Sequence, residues 1–134
     1  MARITHPQEI EVYYILPALR REISMALKAE GMEQKKIAGL LGVTEASISH
    51  YMHNKRAKSV KFDESMKNKI WESALRIKDV NGMIDETQQL LILIRNEKVL
   101  CQACHEFSNR DVPEGCQTCF TAQTTKIAIP IAKQ

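Results

Sequence analysis

The stretch over residues 34–54 constrains the fold of this chain most, because its apolar residues are spaced for two short helices joined by a tight turn. Ile37 and Leu41 lie four residues apart, so they share one face of a helix. Ile48 and Tyr51 lie three residues apart and share a face of a second helix. Two helices that cross at a steep angle need apolar residues on their facing sides, and this spacing therefore predicts a helix-turn-helix.

The residues between these two helices suit a turn. Gly42 tolerates the left-handed backbone that a tight turn needs, and Thr44 supplies a hydroxyl that can cap the second helix. Ala38 falls beside the expected crossing, where a larger side chain would push the helices apart. Helix-turn-helix units bind duplex DNA, but they also occur as protein-docking elements or as plain core.

This stretch resembles the helix-turn-helix of the Xre/Cro-like regulators. The resemblance covers roughly residues 10–60, less than half of the chain. It rests on Gln34, Ile37, Ala38, Leu41, Gly42, Val43, Ile48 and Tyr51. It implies that the second helix lies in the major groove of DNA, with its N-terminal residues at base edges. The whole chain is similar to small archaeal-type regulators that join such a motif to a C-terminal cysteine cluster, which implies transcriptional control.

The resemblance also implies which residues contact DNA. Gln34 would lie against a phosphate, and the exposed residues of the second helix would face the groove. Small and polar side chains there can reach base edges or phosphates. Glu45 can accept a hydrogen bond from a cytosine amino group, or its negative charge can stabilise the N-terminus of the helix. The expected DNA-binding residues are Gln34, Thr44, Glu45, Ala46, Ser47, Ser49, His50, His53, Asn54, Lys55, Arg56 and Lys58.

The charge of the chain is distributed unevenly. Residues 1–60 contain nine Lys or Arg and six Glu, a net +3 that equals the formal charge of the whole protein. Residues 61–134 contain ten basic and ten acidic residues and are neutral. A basic run directly follows the predicted second helix, where it is well placed to grip phosphates. This distribution favours DNA binding over protein docking.

The four cysteines form two Cys-x-x-Cys pairs separated by eleven residues. Each pair can place two thiolates on one ion or cluster, and the intervening loop is long enough to bring the pairs together. The N-terminus lacks the apolar core of a secretory signal, so we expect a reducing, cytoplasmic location, where such cysteines suggest metal or redox chemistry. The expected metal ligands are Cys101, Cys104, Cys116 and Cys119.

The pattern leaves the identity of the metal open. Four thiolates suit tetrahedral Zn²⁺, and they equally suit an iron–sulfur cluster such as 4Fe–4S. His105 and Phe120 follow the cysteine pairs where zinc ribbons commonly have glycine, whereas apolar neighbours such as Leu100 and Phe107 suit a shielded cluster. A pair of reversible disulfides, or four free thiols packed as small hydrophobes, are the alternatives to a metal.

Apolar stripes at helical spacing predict three further helices. One runs over residues 8–30, where Pro17 either starts the helix or kinks a longer one. A second runs over residues 63–78 and is capped by its first residue, an aspartate. After a break at Asn81-Gly82, a third runs over residues 84–97. This last helix is apolar nearly all round, which predicts burial on more than one side.

We therefore expect a mainly α-helical chain in three parts. Residues 1–62 form the helix-turn-helix DNA-binding domain, residues 63–100 a helical dimerisation or linker region, and residues 101–134 a four-cysteine metal-binding segment. Isoleucine alternates with smaller residues over 125–133, which predicts a short terminal strand. Because such DNA-reading modules usually act as two-fold dimers, we place the homodimer contact in residues 63–100.

These observations together predict a transcription regulator that binds specific sequences of double-stranded DNA. Its four-cysteine centre would sense redox state or metal status by reordering residues 99–122 and, through them, the dimer helix. The alternative is a DNA-binding regulator, or an adaptor of the transcription machinery, with purely structural zinc. No catalytic arrangement, nucleotide-binding loop or small-molecule substrate is evident, so we do not expect an enzyme. No apolar stretch approaches the ~20 residues of a membrane span.

Overall fold

The computed structural model describes residues 6–53 and 60–121, except for the side chains of Phe120 and Thr121. Most of these residues are helical and no strand occurs among them, which confirms the expected mainly α-helical fold. The terminal strand predicted over residues 125–133 lies outside them. The elements are α1 (Pro7–Ile10), a π-helical turn (Glu11–Ile15), α2 (Leu16–Ala29), α3 (Gln34–Leu41), α4 (Glu45–His53), α5 (Glu64–Leu75), α6 (Val80–Asn96), α7 (Val99–Phe107) and α8 (Thr118–Thr121).

The first three elements follow one another without a break and form a single N-terminal helix over residues 7–29. Pro17 lies in the first turn of α2. Its ring cannot donate to the preceding turn and would clash with the carbonyl four residues earlier. The wider π turn directly before it accommodates both defects. Of the two outcomes predicted for Pro17, the structure has the longer, distorted helix.

The N-terminal helix is the centre of the fold. Its α2 segment packs against α3, α4 and α5, while α1 and the π turn pack against α7. Leu19 and Ile23 of α2 are fully buried, as are Ile37 of α3 and Ile48 of α4. Burying four such side chains favours folding by roughly 1.5–3 kcal/mol each. One continuous apolar core therefore extends from the N-terminal helix to α7.

The start of α5 is as the sequence predicted. Asp63 accepts a hydrogen bond from the backbone N–H of Met66 at 2.8 Å, which satisfies a donor that the helix leaves unpaired. The helix ends at Leu75, three residues before the predicted end.

The prediction that Asn81-Gly82 breaks the chain is wrong, because both residues lie in the first turn of α6. Asp79 accepts a hydrogen bond from the backbone N–H of Gly82 at 2.7 Å and so caps the helix four residues earlier than expected. The first turn of a helix has no intrahelical acceptors for its N–H groups, so a good cap outweighs the weak helix propensity of glycine there.

The apolar run of α6 is only partly buried. Leu90 and Ile94 are in the core, whereas 59% of the surface of Ile92 is exposed. Val80 and Ile84, one turn apart at the start of the helix, are also about half exposed. Within the described residues, α6 thus presents apolar side chains on surfaces that no other element covers.

The only tryptophan of the chain joins α2 to α5. Trp71 Nε1 donates a hydrogen bond to Glu22 Oε1 at 3.2 Å. Glu22 is 7% exposed and also lies 3.7 Å from Arg21 Nη1, so its carboxylate has both a neutral and a charged partner. This polar contact fixes the position of α5 beside the helix that carries the core.

None of the helices in the described part of the chain has the length and apolar character needed to cross a membrane.

Candidate functional site

The turn between α3 and α4 has the features that the sequence predicted. Gly42 has a φ of 68°, in the left-handed region, and ends α3. Thr44 Oγ1 accepts a hydrogen bond from the backbone N–H of Ser47 at 3.0 Å and so caps α4. Ala38 is 5% exposed and belongs to the apolar core, as expected for a small residue beside the helix crossing. Gly42 and Thr44 thus fix the backbone at the two ends of the turn.

Gln34 joins the start of α3 to α4. Its Nε2 donates to the backbone carbonyl of Glu45 at 3.0 Å and to Ser49 Oγ at 2.6 Å. The amide nitrogen is therefore used within the protein, to hold α4 against α3. These two hydrogen bonds join residues eleven and fifteen positions apart, and the spacing of apolar residues could not predict them.

A residue outside this pair of helices also holds α4. Arg21 of α2 donates from Nε to the carbonyl oxygen of Tyr51 at 3.3 Å, in the last turn of α4. A cation at a helix C-terminus interacts favourably with the helix dipole and satisfies a carbonyl that the helix leaves unpaired. In the sequence Arg21 contributed only to the net charge of the N-terminal half, because its hydrogen-bond acceptor, Tyr51, lies 30 residues away.

The outer face of α4 is small and polar. Ile48 is fully buried and anchors the helix from behind. Among the expected DNA-binding residues, Ser47 and Ser49 are half-buried, whereas those exposed to solvent are Thr44, Glu45, Ala46, His50 and His53. Asn54, Lys55, Arg56 and Lys58 lie outside the described residues. The described part of the predicted contact set is therefore exposed or half-buried, and none of it is in the core.

Exposed lysines flank this face. Lys35 and Lys36 lie in the first turn of α3, next to Gln34, and both are exposed. Neither was among the expected contact residues, although both contributed to the basic charge of the N-terminal half. They add positive charge at the end of the α3–α4 unit where Gln34 meets α4.

The first cysteine pair lies on α7. Cys101 and Cys104 are three residues apart in a helix, so their thiols lie on the same side of it. Cys104 is 6% exposed and belongs to the core. Near the end of the same helix the ring of Phe107 stacks on Tyr14 of the π turn, with centroids 4.2 Å apart and an angle of 7° between the planes. The helix that carries this pair is thus fixed to the N-terminal helix.

The second pair follows a tight turn. Gly115 has a φ of 66°, and the backbone N–H of Cys116 donates to the carbonyl of Pro113 at 3.2 Å. The thiol of Cys116 donates to Thr118 Oγ1 at 3.3 Å, and Cys119 lies one residue further on in α8. Pro113 and Gly115 therefore form the turn before the second pair.

The charges of neighbouring cysteines affect the pKa of Cys104 and of Cys119. Burial, and after it the charges of Cys119, Cys101 and Cys116, raise the pKa of the Cys104 thiol to about 11. Burial also raises the pKa of Cys119, which the nearby Arg95 opposes. Hydrogen bonding with the side chain and backbone of Thr118 lowers the pKa of Cys116. A soft cation bound to these sulfurs would favour their ionised form.

All four cysteines are free thiols, so no disulfide joins them. At the same time, no three His, Cys, Asp or Glu side chains within residues 6–53 and 60–121 are close enough together to hold a metal ion. Thiols are the donors that a soft metal ion prefers, but the four cysteines would have to come closer together to form a complete ligand set.

An ion pair joins α6 to the π turn. Arg95, in the last turn of α6, donates from Nη2 to both carboxylate oxygens of Glu11 at 3.4 Å. The charge of Arg95 lowers the pKa of Cys119, and the charge of Glu11 raises it, although burial has the largest effect on this thiol. Burial raises the pKa of Glu11, and the charge of Arg95 and its hydrogen bond act in the opposite direction. The pair thus joins the end of α6 to the start of the π turn.

No protein-family model matches this chain, and no curated protein and no solved structure is significantly similar to it.

Proposed function

We propose that this chain is a transcription regulator that binds specific sequences of double-stranded DNA through α4. The observation that carries the proposal is the accessible polar face of α4, which three contacts fix from behind: the buried Ile48, the amide of Gln34 and the guanidinium of Arg21. A recognition helix needs this combination, because base contacts discriminate only when their side chains are held in place. The net +3 of the N-terminal half supplies attraction to phosphates.

Each part of this surface has a proposed role. The side chains of Thr44, Ala46 and Ser47, around the start of α4, approach base edges, where hydroxyls form hydrogen bonds and Ala46 packs on a thymine methyl. Ser49, His50 and His53 lie further along the helix. Lys35 and Lys36, with the expected basic residues after α4, contact phosphates and set the orientation of the protein.

The active form is proposed to be a homodimer. Recognition helices of this type usually occupy two half-sites about one helical turn apart, which requires a two-fold axis. The exposed apolar surface of α6 around Val80 and Ile84 is the proposed contact with a second copy. An isologous contact between two such surfaces would bury apolar side chains that the described monomer leaves half exposed.

The four cysteines are proposed to bind a metal centre, in a chain that acts in the cytoplasm. Cys101 and Cys104 would bind from α7, and Cys116 and Cys119 from the segment after the Gly115 turn. Zn²⁺ would fix this segment in place, whereas an iron–sulfur cluster such as 4Fe–4S would add a redox couple. Metal analysis with a visible spectrum, on protein purified without oxygen, decides between them. Protein that contains neither zinc nor iron contradicts the metal proposal.

The DNA-binding proposal is tested by selecting bound sequences from a random duplex library and measuring the affinity for the selected site by fluorescence anisotropy. We expect a preference for one sequence over bulk DNA and an affinity that falls steeply with salt. Ala46→Glu adds a negative charge to the accessible face of α4 and should weaken binding about tenfold or more. Gln89→Glu makes the same charge change at an exposed position of α6 and should leave the affinity unchanged.

Two results would contradict the proposal. One is the absence of any sequence preference at moderate salt, which would favour an adaptor over a regulator. The other is an equal effect of Ala46→Glu and Gln89→Glu, which would mean that overall charge, and not α4, decides binding.

A further inference from the structure

A groove on the surface of the molecule is lined by residues of α2 and α5, and we call it the α2–α5 groove. Its volume is about 630 Å³, which is within the range of small-molecule binding sites. Met25, Trp71 and Leu75 form its apolar lining. Leu75 is 47% exposed and Trp71 is 37% exposed, so the groove offers apolar surface that the described monomer leaves open to a ligand.

Glu22 contributes a buried carboxylate to this groove. It is 7% exposed, and its Oε1 accepts a hydrogen bond from Trp71 Nε1 at 3.2 Å. Its Oε2 has no hydrogen-bond donor within residues 6–53 and 60–121, because Arg21 Nη1 lies 3.7 Å away, which is too far for a hydrogen bond. A buried carboxylate is normally paired and hydrogen-bonded, since burial removes the water that would solvate it. Oε2 therefore lacks a donor that a ligand in the groove could supply.

The charged side chains of the groove favour a cation as that ligand. The groove contains three carboxylates and two cations, contributed by Glu22, Glu64, Glu72, Arg21 and Lys67. Arg21 already donates from Nε to the carbonyl oxygen of Tyr51. The indole of Trp71 lines the same groove, and indole rings attract ammonium groups. A ligand that joins one ammonium group to an apolar body thus complements both the charge and the apolar lining.

We propose that the α2–α5 groove binds a small organic ammonium ion and that its occupancy controls how firmly α4 is held. The ammonium group donates a hydrogen bond to Glu22 Oε2, and the apolar body packs against Trp71 and Leu75. The control of α4 rests on the DNA-binding role proposed above, whereas the binding of the ammonium ion does not depend on it.

Arg21 connects the groove to α4. Its Nη1 lies 3.7 Å from Glu22 Oε2, and its Nε donates to the carbonyl oxygen of Tyr51 at 3.3 Å. An ammonium ion at Oε2 neutralises the charge that attracts the guanidinium and also repels it, because two positive charges then lie a few ångströms apart. The hydrogen bond to Tyr51 is weakened as a result, and α4 loses one of the contacts that fix it. Binding of the ligand should therefore weaken sequence-specific DNA binding.

The test uses the full-length protein and two probes of nearly equal size: 2-phenylethylammonium, which carries the charge, and the neutral 2-phenylethanol. Calorimetric titration without DNA measures the binding of each probe. Fluorescence anisotropy then measures the affinity for the selected DNA site with and without saturating probe. Sodium chloride replaces the charged probe in the reference sample, because added salt alone weakens DNA binding.

Three variants locate the site. Glu22→Gln removes the buried charge but keeps an acceptor for Trp71. Leu75→Ala shortens the apolar lining at a half-exposed position, where the fold tolerates the change. Asp85→Asn is the control, since it removes a negative charge at an exposed position of α6 that does not line the groove. Urea unfolding checks that each variant folds.

We expect 2-phenylethylammonium to bind with a Kd of about 1 mM or lower, and 2-phenylethanol to bind at least about tenfold more weakly. Saturation with the cation should weaken specific DNA binding about fivefold or more. Glu22→Gln should bind the cation at least about tenfold more weakly, and its DNA affinity should not respond to it. Leu75→Ala should bind the cation about fivefold more weakly, and Asp85→Asn should behave as the wild type.

Several results would overturn the proposal. Equal binding of the two probes, or no binding at millimolar concentration, excludes the ammonium site. Unchanged binding in Glu22→Gln and Leu75→Ala excludes the groove, and if Glu22→Gln does not fold, Leu75→Ala and the comparison of the probes decide. A cation that binds without changing the DNA affinity excludes the control of α4 and leaves the proposed function intact. Absence of specific DNA binding by the wild type refutes the proposed function, whereas the calorimetric result for the groove is independent of it.

Discussion

At the scale of single residues, the side chains that position α4 matter as much as those that would touch DNA. Gln34 makes two hydrogen bonds into α4, and Arg21 makes a third at its other end. Each such bond contributes about 0.5–1.5 kcal/mol to stability, and together they restrict the helix to one orientation. The sequence allowed Gln34 to be recognised as important, but as a phosphate contact and not as a connection between helices.

Gln34→Ala separates these two roles. Loss of both hydrogen bonds should lower the free energy of unfolding by roughly 1–3 kcal/mol and reduce the preference for the selected DNA sequence. Lys35→Ala, at the next position, should leave the stability unchanged, weaken binding to all sequences equally and lower the salt slope by about one. Urea unfolding and anisotropy titrations measure these quantities. A stable Gln34→Ala protein that loses affinity for all sequences equally would show that Gln34 acts only on phosphates.

At the scale of elements, α5 and α6 are joined by one carboxylate. Ser73 donates to Glu86 Oε1 at 2.6 Å, and Arg76 lies 3.1 Å from the same oxygen. The hydrogen bond from Ser73, followed by that from Arg76, holds the pKa of Glu86 below its ordinary value. Because the pKa is depressed in the folded state, the ionised form stabilises the fold.

The stability of the protein should therefore depend on the protonation of Glu86. Its contribution is fully present above the unfolded pKa of about 4.3 and is lost as the pH falls through the lower folded value. Glu86→Gln should be less stable than wild type at pH 7, and the difference should vanish in acid. Asp85→Asn, at the exposed neighbouring position, should follow the wild type throughout. Thermal unfolding from pH 7 to pH 3 measures this, and a constant difference between Glu86→Gln and wild type would contradict it.

The elements also show what sequence patterns can predict. The caps at Thr44 and Asp63 and the left-handed Gly42 were predictable, since each depends on residues within three or four positions. The start of α6 was predicted wrongly because Asn81 and Gly82 usually interrupt a helix. Here Asp79 caps the helical turn that contains them. The Arg95–Glu11 contact joins positions 84 residues apart, and no local pattern contains that information.

At the scale of the whole molecule, the N-terminal helix connects both regions with a proposed function. Its first half packs against the helix of the first cysteine pair, and its second half packs against α4. The sequence suggested a basic half and a cysteine-rich half in series. In the structure the two share one core that runs from α1 to α7, so a disturbance in either region meets the same helix.

The assembly of the molecule gives a further prediction. If α6 forms the contact with a second copy, Ile84→Glu should convert the dimer to a monomer and weaken binding to a two-half-site operator by about tenfold or more. Gln89→Glu, on another side of α6, should remain dimeric. Sedimentation equilibrium at micromolar concentration distinguishes these states. A monomeric wild type would exclude the dimer. A dimeric Ile84→Glu protein would place the contact elsewhere.

The bond between Trp71 and Glu22 has a practical consequence. Trp71 is the sole indole of the chain, and its partner adjoins Arg21, the residue that holds the end of α4. Indole emission depends on hydrogen bonding and on exposure to water, and about a third of the Trp71 surface is exposed. The intrinsic fluorescence of the unlabelled protein therefore reports the state of one junction, and stopped-flow mixing with DNA or a chelator can follow that junction in real time.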